Sequence, residues 1–502
     1  MSGEESRSGD DRFTHKASPA SRFDQYDLLV DPETNDRAVQ MKIFSWKRPH
    51  MRALHCAWIS FFLAFTVWFC VSPLLSEIRH DLDLSTKEVW TSSICSDVTT
   101  IITRFLVGSL CDKYGARIPM GVVLMLSAIP AACTGLVNSA LGLSFQRLFL
   151  GIAGSSFVMA QYWPTCMFVN ETAGTVNGLV GGWGNLGGAF TQVLMGTLLF
   201  PFFRDYVYDG DSEMSWRTIC IIPAFFAFVW GLIVLFISDD APQGYYSEMR
   251  RRGTMDIIYM TKSLQSGTMD SNVWILYVQY ACCFGVELIM NNAAVLYFVD
   301  EFAQTTEQAA ALASTFGWMN LFARLLGGWL SDHFNLKAGM RGRLWLQAIC
   351  LVGEASLIIV FAYTRSLVGA VVTMCAFSIF TQCAEGAIYG VVPYVNPKYT
   401  GTIAGIVGGG GNLGGVVFGF GFRSLSYTAA FLMMGSLVLV SSFLTFFIRI
   451  PGHRSMLGGK DSAEIIGARE RYLRNMKPKE VDSGTNASSI GNEMNDTNVG
   501  EA

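Results

Sequence analysis

Gly181-Gly182-Trp183-Gly184-Asn185-Leu186-Gly187-Gly188 returns 227 residues later as Gly408-Gly409-Gly410-Gly411-Asn412-Leu413-Gly414-Gly415, changed only at Trp183 against Gly410. So many glycines weaken an ordinary helix by about 1 kcal/mol each relative to alanine. In a membrane helix, missing side chains let neighbouring backbones approach and slide. A second pair repeats with an offset of 220 residues, Arg104-Phe105-Leu106-Val107-Gly108-Ser109-Leu110-Cys111-Asp112 and Arg324-Leu325-Leu326-Gly327-Gly328-Trp329-Leu330-Ser331-Asp332. Two internal matches at nearly one offset indicate parallel duplication of a helical unit, the pattern of a transporter built from two like halves.

Working outward, apolar stretches of roughly twenty residues, each enough to cross about 30 Å of hydrocarbon as helix, recur along the chain. The first set is Ala53 to Leu75, Val89 to Cys111, Ile118 to Val137, Leu141 to Tyr162, Gly174 to Phe200 and Thr218 to Ile237. The second is Val273 to Phe298, Ala309 to Leu330, Leu344 to Ala362, Leu367 to Val391, Gly401 to Phe422 and Ala429 to Ile448. This predicts an all-α membrane protein of about twelve spans, six in each half. The expected divisions are an N-terminal segment 1–52, a first half 53–237, a central loop 238–271, a second half 272–449 and a tail 450–502.

Composition agrees. Of 502 residues, 51% are hydrophobic and only 15% charged, with a mean hydropathy of +0.35, against roughly 25% charged in soluble proteins. The formal net charge is −4, so no basic excess exists to hold nucleic acid. The 12 cysteines follow neither disulfide nor zinc spacing and are expected as buried thiols, with no metal site and no cofactor.

Lys42, Lys47, Arg48 and Arg52, then Lys113 and Arg117, then Arg250, Arg251, Arg252 and Lys262, then Lys337, Arg341 and Arg343 all fall on one side of the predicted topology. The opposite connections carry Asp81, Asp83, Asp205, Asp209, Asp211, Glu213, Asp300, Glu301 and Glu307. The basic side is cytoplasmic by the positive-inside rule, which places both termini inside. The glycosylation patterns at Asn170, Asn486 and Asn495 then face the cytoplasm and are expected to carry no glycan. The tail from His453 is expected to be disordered apart from an amphipathic stretch near Glu464 to Arg474. With no signal or transit peptide at the start, the expected location is the plasma membrane, in contact with membrane lipid.

In these motifs the chain resembles the major facilitator superfamily and, within it, the nitrate/nitrite porters, especially eukaryotic high-affinity nitrate transporters. Gly108-Ser109-Leu110-Cys111-Asp112-Lys113-Tyr114-Gly115-Ala116-Arg117 is similar to the superfamily's loop motif, which implies a conformational role for Gly108, Asp112 and Arg117. Asp332 is its second-half counterpart, although Asp332-His333-Phe334-Asn335 departs from the pattern. The two glycine-rich repeats resemble the nitrate signature.

Arg104 and Arg324 lie eight residues before the end-of-span aspartates, about 12 Å along a helix, which puts both near mid-membrane. Arginine there is costly unless it faces a cavity or a partner. One in each half suggests a central anion site, where a planar, permanently charged fork suits a flat oxyanion. The bland alternative ties both to neighbouring acids or carbonyls. Asn185 and Asn412 can donate to a substrate oxygen or bridge helices; the resemblance implies that they border nitrate. It also implies aromatic positions at Phe157 and Tyr277, with Tyr280 as the alternative, and a structural role for Arg147. Because arginine keeps its proton, coupling to a proton or sodium needs another group. Glu287, Glu385 and Asp97 are the candidates, Glu354 being a further intramembrane acid, and each is equally open to a pairing role.

The expectation is therefore high-affinity nitrate import by alternating access, with proton symport implied by the resemblance to eukaryotic members, nitrite also carried and an accessory membrane subunit among the conceivable partners. A carrier for another small anion and a nitrate receptor that moves little are the rival readings. Nothing in the sequence has the spacing of a nucleotide loop, metal cluster or catalytic triad.

Overall fold

The computed structural model describes residues 26–256 and 258–476. Eleven helices are long and apolar enough to cross a membrane: α1 (His50–Asp81), α2 (Thr86–Tyr114), α3 (Arg117–Leu136), α4 (Ala140–Met167), α5 (Asn170–Val207), α6 (Ser212–Ile237), α7 (Ser271–Phe302), α9 (Met340–Ala362), α10 (Leu367–Val395), α11 (Thr400–Ser424) and α12 (Tyr427–Phe447). Between α7 and α9 runs α8, in two pieces, Thr306–Trp318 and Ala323–Ala338. The uninterrupted eighth span expected from hydropathy is thus broken at Met319–Phe322. The break turns backbone toward α5: the Leu321 carbonyl accepts from the Trp183 indole at 3.2 Å, and a Cβ on Gly182 would stand 2.5 Å from the Asn320 carbonyl. Irregular backbone at this depth survives only where protein takes up its polar groups.

α1–α6 and α7–α12 form two halves that meet along α2 against α11 and α5 against α8. At these seams glycine removes the side chain that would hold the backbones apart. A Cβ on Gly108 would lie 2.6 Å from the Gly401 carbonyl, and one on Gly328 1.9 Å from the Gly174 carbonyl.

The face that carries both described termini is capped by short elements. Strands β1 (Val30–Asp31) and β2 (Arg37–Ala38) pair antiparallel, and Ala38 bridges to Phe168 at the end of α4. The expected amphipathic stretch near the C-terminus is helix α13, Ala463–Met476, and Arg471 on it pairs with Glu33. The expectation of disorder beyond it, like Asn486 and Asn495, falls outside the described residues. All twelve cysteines are unpaired, and Cys133 alone is exposed.

Candidate functional site

Arg104 on α2 and Arg324 on the second piece of α8 are both fully buried, one on each side of the seam between halves. Phe157 on α4 lies between them: its ring centre is 4.8 Å from the Arg104 guanidinium carbon and 5.4 Å from that of Arg324. Those distances put the two guanidinium carbons no more than about 10 Å apart. Tyr280 and Phe284 on α7 stack on Phe157 at 5.6 Å each, and Tyr389 on α10 meets it edge-on at 4.9 Å. These rings form one buried aromatic cluster, the slot, with both guanidinium groups packed against it, the arrangement in which cation–π attraction offsets part of the desolvation of guanidinium.

The two arginines have different partners. Arg104 donates to the Gly154 carbonyl at 2.9 Å and to the Gly408 carbonyl at 2.5 Å, and its Nη2 has no partner. Gly154 lies in a 3₁₀ segment of α4, Gly151–Ser155. Among the described residues no carboxylate pairs with Arg104. Arg324 instead pairs with Glu385, lies 3.8 Å from Glu287 and donates to the Tyr280 hydroxyl at 2.9 Å, leaving its Nε unpartnered. Arg324 is thus tied to acids, and part of the Arg104 fork is tied to carbonyls.

The repeat asparagines are both buried, and each crosses between halves. Asn185 on α5 donates to Glu287 on α7 at 2.8 Å, and Asn412 on α11 donates to Asp97 on α2 at 3.1 Å. In this closed arrangement they bridge helices, while each keeps an unpartnered amide oxygen. Glu287 takes a second hydrogen bond from Asn320 at 2.9 Å, with Arg324 3.8 Å away.

Tyr277 lies apart from these rings: its own ring packs on Trp274 at 5.3 Å and its carbonyl faces Gly410. Tyr280, one turn further and about 4.5 Å along the axis, is the tyrosine that touches an arginine. Phe284, Tyr389, Asn320 and Gly154 were not singled out from sequence. Tyr280, Phe284 and Glu287 do form an i, i+4, i+7 stripe on α7, which is a readable signal.

Toward the terminal face, Asp112 accepts from the Gly401 and Thr402 backbone N–H groups at 2.8 and 2.9 Å and from the Thr402 and Ser263 hydroxyls at 2.7 Å each. It caps α11 across the seam, where a carboxylate satisfies orphan N–H groups and meets the positive end of the helix dipole. Despite the departure of its loop from the pattern, Asp332 does the same for α5, accepting from Gly174 N at 3.0 Å, Thr175 N at 2.6 Å and the Thr175 hydroxyl at 2.6 Å. Arg343, 2.8 Å away, supplies the basic partner that the loop lacks. Arg117 turns to Asp240 at 3.8 Å within its own half; burial pushes that carboxyl up, and Arg117 draws it back.

The opposite face is also closed between halves, by Ser72 to Asn292 at 3.0 Å, Thr306 to Glu77 at 2.8 Å, Arg79 to Asp300 at 3.4 Å and Arg204 to Glu307 at 3.1 Å. Polar contacts thus join the two halves at both faces.

Residues 57–419 match the family model described as Major Facilitator Superfamily. The "High affinity nitrate transporter 2.5" of Arabidopsis thaliana is 31% identical over 471 residues, covering 93% of this chain and 92% of the relative. The "Nitrate/nitrite transporter NrtP" of Nostoc punctiforme is 26% identical, covering 82% of this chain and 94% of the relative. The fold is shared with a solved bacterial homologue of the human lysosomal transporter Spinster in an inward-facing, unoccupied conformation, with a TM-score of 0.55 at 14% identity, over 86% of this chain and 99% of that one. The chain belongs to the nitrate/nitrite porter family of the major facilitator superfamily.

Proposed function

We propose that this multi-pass membrane protein imports nitrate across the plasma membrane by alternating access, together with protons, with both termini in the cytoplasm. The observation that carries the reading is Arg104, a fully buried guanidinium with no carboxylate partner and one free nitrogen, set against an aromatic slot. A buried cation in that condition favours an anion, and a slot of flat rings suits a flat one.

Arg324 accounts for coupling. Two carboxyls, Glu385 and Glu287, share a single guanidinium, and two such groups side by side do not both ionise readily. An anion that takes a place on Arg324 displaces Glu385, which then holds a proton rather than remain an unpaired buried charge. The site fills with anion and proton together, which is symport. Glu287 is surrounded by the N–H donors of Asn185 and Asn320 as well as Arg324. Those donors hold Glu287 as a carboxylate, which leaves Glu385 to carry the proton. Nitrite, also flat and singly charged, fits the same donors.

The reading is tested by isotopic nitrate uptake in a transport-deficient cell, with surface protein quantified and pH and sodium varied independently. Saturable uptake that rises with an inward proton gradient, ignores sodium and is inhibited by nitrite is expected. Surface-localised protein without nitrate uptake overturns it.

A further inference from the structure

The mechanism above leaves one fully buried cation unused. Arg147 on α4 has no ion-pair partner among the described residues, and its Nε and Nη1 have no hydrogen-bond partner. Of the fully buried arginines, Arg104, Arg324 and Arg343 each leave one nitrogen without a partner and Arg147 leaves two. The single contact is Nη2 to the Asn292 Oδ1 at 2.7 Å, and the Ser72 hydroxyl donates to that same oxygen at 3.0 Å. Arg147 and Ser72 belong to the first half and Asn292 to the second. Arg147 lies seven residues inside α4, about 10 Å from its outer end. It is ten residues before Phe157, which puts it about 15 Å outward of the slot.

We infer that Arg147 and Ser72 form an outer anion-binding subsite, which an entering oxyanion occupies before it reaches Arg104, and that the Asn292 amide oxygen fills that place when the outer face is shut. The inference rests on the import reading above. Two donors from one half converge on a neutral acceptor from the other. When the halves part on the outer side, Asn292 leaves with α7, and the same two donors face the entry path with two further guanidinium nitrogens free. An oxyanion presents the same kind of acceptor atom and adds a charge, so it competes with the amide for the cation. Closing returns Asn292 to the pair and releases the anion inward, toward the next free guanidinium nitrogen, that of Arg104.

The test is nitrate uptake from the outside, measured with equilibrium nitrate binding to the purified chain. Arg147→Gln, and Arg147→Met as a shape-filling partner, are expected to raise the external KM at least tenfold while equilibrium binding stays within threefold. Arg147→Lys keeps the charge and stays within threefold of the parent in KM. Asn292→Ala removes the competing amide and is expected to leave the external KM unchanged or lower it. A surface-localised Arg147→Gln or Arg147→Met chain with the parent's KM overturns the subsite, as does a tenfold rise in KM for Asn292→Ala, which would make the trio a simple latch. If neither Arg147 variant reaches the membrane, Asn292→Ala decides alone. A parent chain that neither binds nor imports nitrate overturns the import reading instead, which separates the two failures.

Discussion

Gly328→Ala adds one methyl group to the seam between α8 and α5. Its Cβ would stand 1.9 Å from the Gly174 carbonyl oxygen, an obstacle of backbone that no side-chain rotation removes. Carbon and oxygen do not approach much inside 3 Å, so the two helices must part by about 1 Å, and overpacking of this kind costs about 1–3 kcal/mol. The contact exists only while the terminal face is closed. The whole cost therefore falls on one side of the alternating-access equilibrium and shifts it about 5- to 150-fold toward the state open at that face. Spin labels at Tyr114 and Lys337, exposed and one on each half at the terminal face, read the shift by double electron–electron resonance, after exposed Cys133 is replaced by serine. The expected result is a population moved to longer distances, with slower net uptake because the carrier no longer resets. Gly196→Ala gives the opposite sign: its Cβ would lie 2.8 Å from that of Ala310 and 3.1 Å from that of Pro73, near the other face. An unchanged distance distribution in a properly inserted Gly328→Ala chain would refute the argument that this seam closes by glycine contact.

Arg104→Lys and Arg324→Lys keep the charge but lose the planar fork. Each should lower kcat/KM for nitrate by about 10- to 100-fold or more, at about 1.5–3 kcal/mol for each charged hydrogen bond lost. Uptake kinetics at equal surface density check this, and parent-like kinetics in both would remove them from the site. Glu385→Gln cannot cycle a proton, so nitrate–nitrate exchange in proteoliposomes should persist while accumulation driven by a proton gradient is lost. Thr254 is exposed and follows Arg250, Arg251 and Arg252; a phosphate there adds about −1.5 to −2 charges, so Thr254→Glu should change the uptake rate where Thr254→Ala does not, and identical rates would leave the cluster a topological role only. Burial holds His453 below its ordinary value of 6.5, with its ring edge-on to Tyr394. The docked segment therefore favours neutral imidazole: docking is full above that value and weakens as pH falls below it. Exchange protection in α13, corrected for the intrinsic rate at each pH, should fall from pH 7.5 to 5.5, and His453→Gln should flatten the response.

The repeat made the architecture legible, because glycine spacing and charge placement follow from local helix geometry and from the membrane as solvent. It also singled out both arginines and both asparagines, whereas Phe157 came only from the family resemblance. What it could not carry was partnership, since pairing depends on how helices far apart in sequence are rotated. Glu385 is 61 residues from Arg324, and no local pattern says that its carboxyl turns to that guanidinium while Arg104 finds only carbonyls. Tyr277 and Tyr280 are three residues apart on one helix, and a small rotation of α7 decides which of them reaches the slot. The break in α8 carries no proline and no hydropathy signal; it follows from what α5 offers to its carbonyls. A strict repeat also leads one to expect a symmetric site, and the departure from symmetry is where the proposed chemistry lies. The first half offers a guanidinium without an acid, which suits an anion. The second offers a guanidinium with two acids, which suits an exchange of anion for carboxylate with uptake of a proton. Two identical ends could bind an oxyanion but would give no reason for a proton to travel with it.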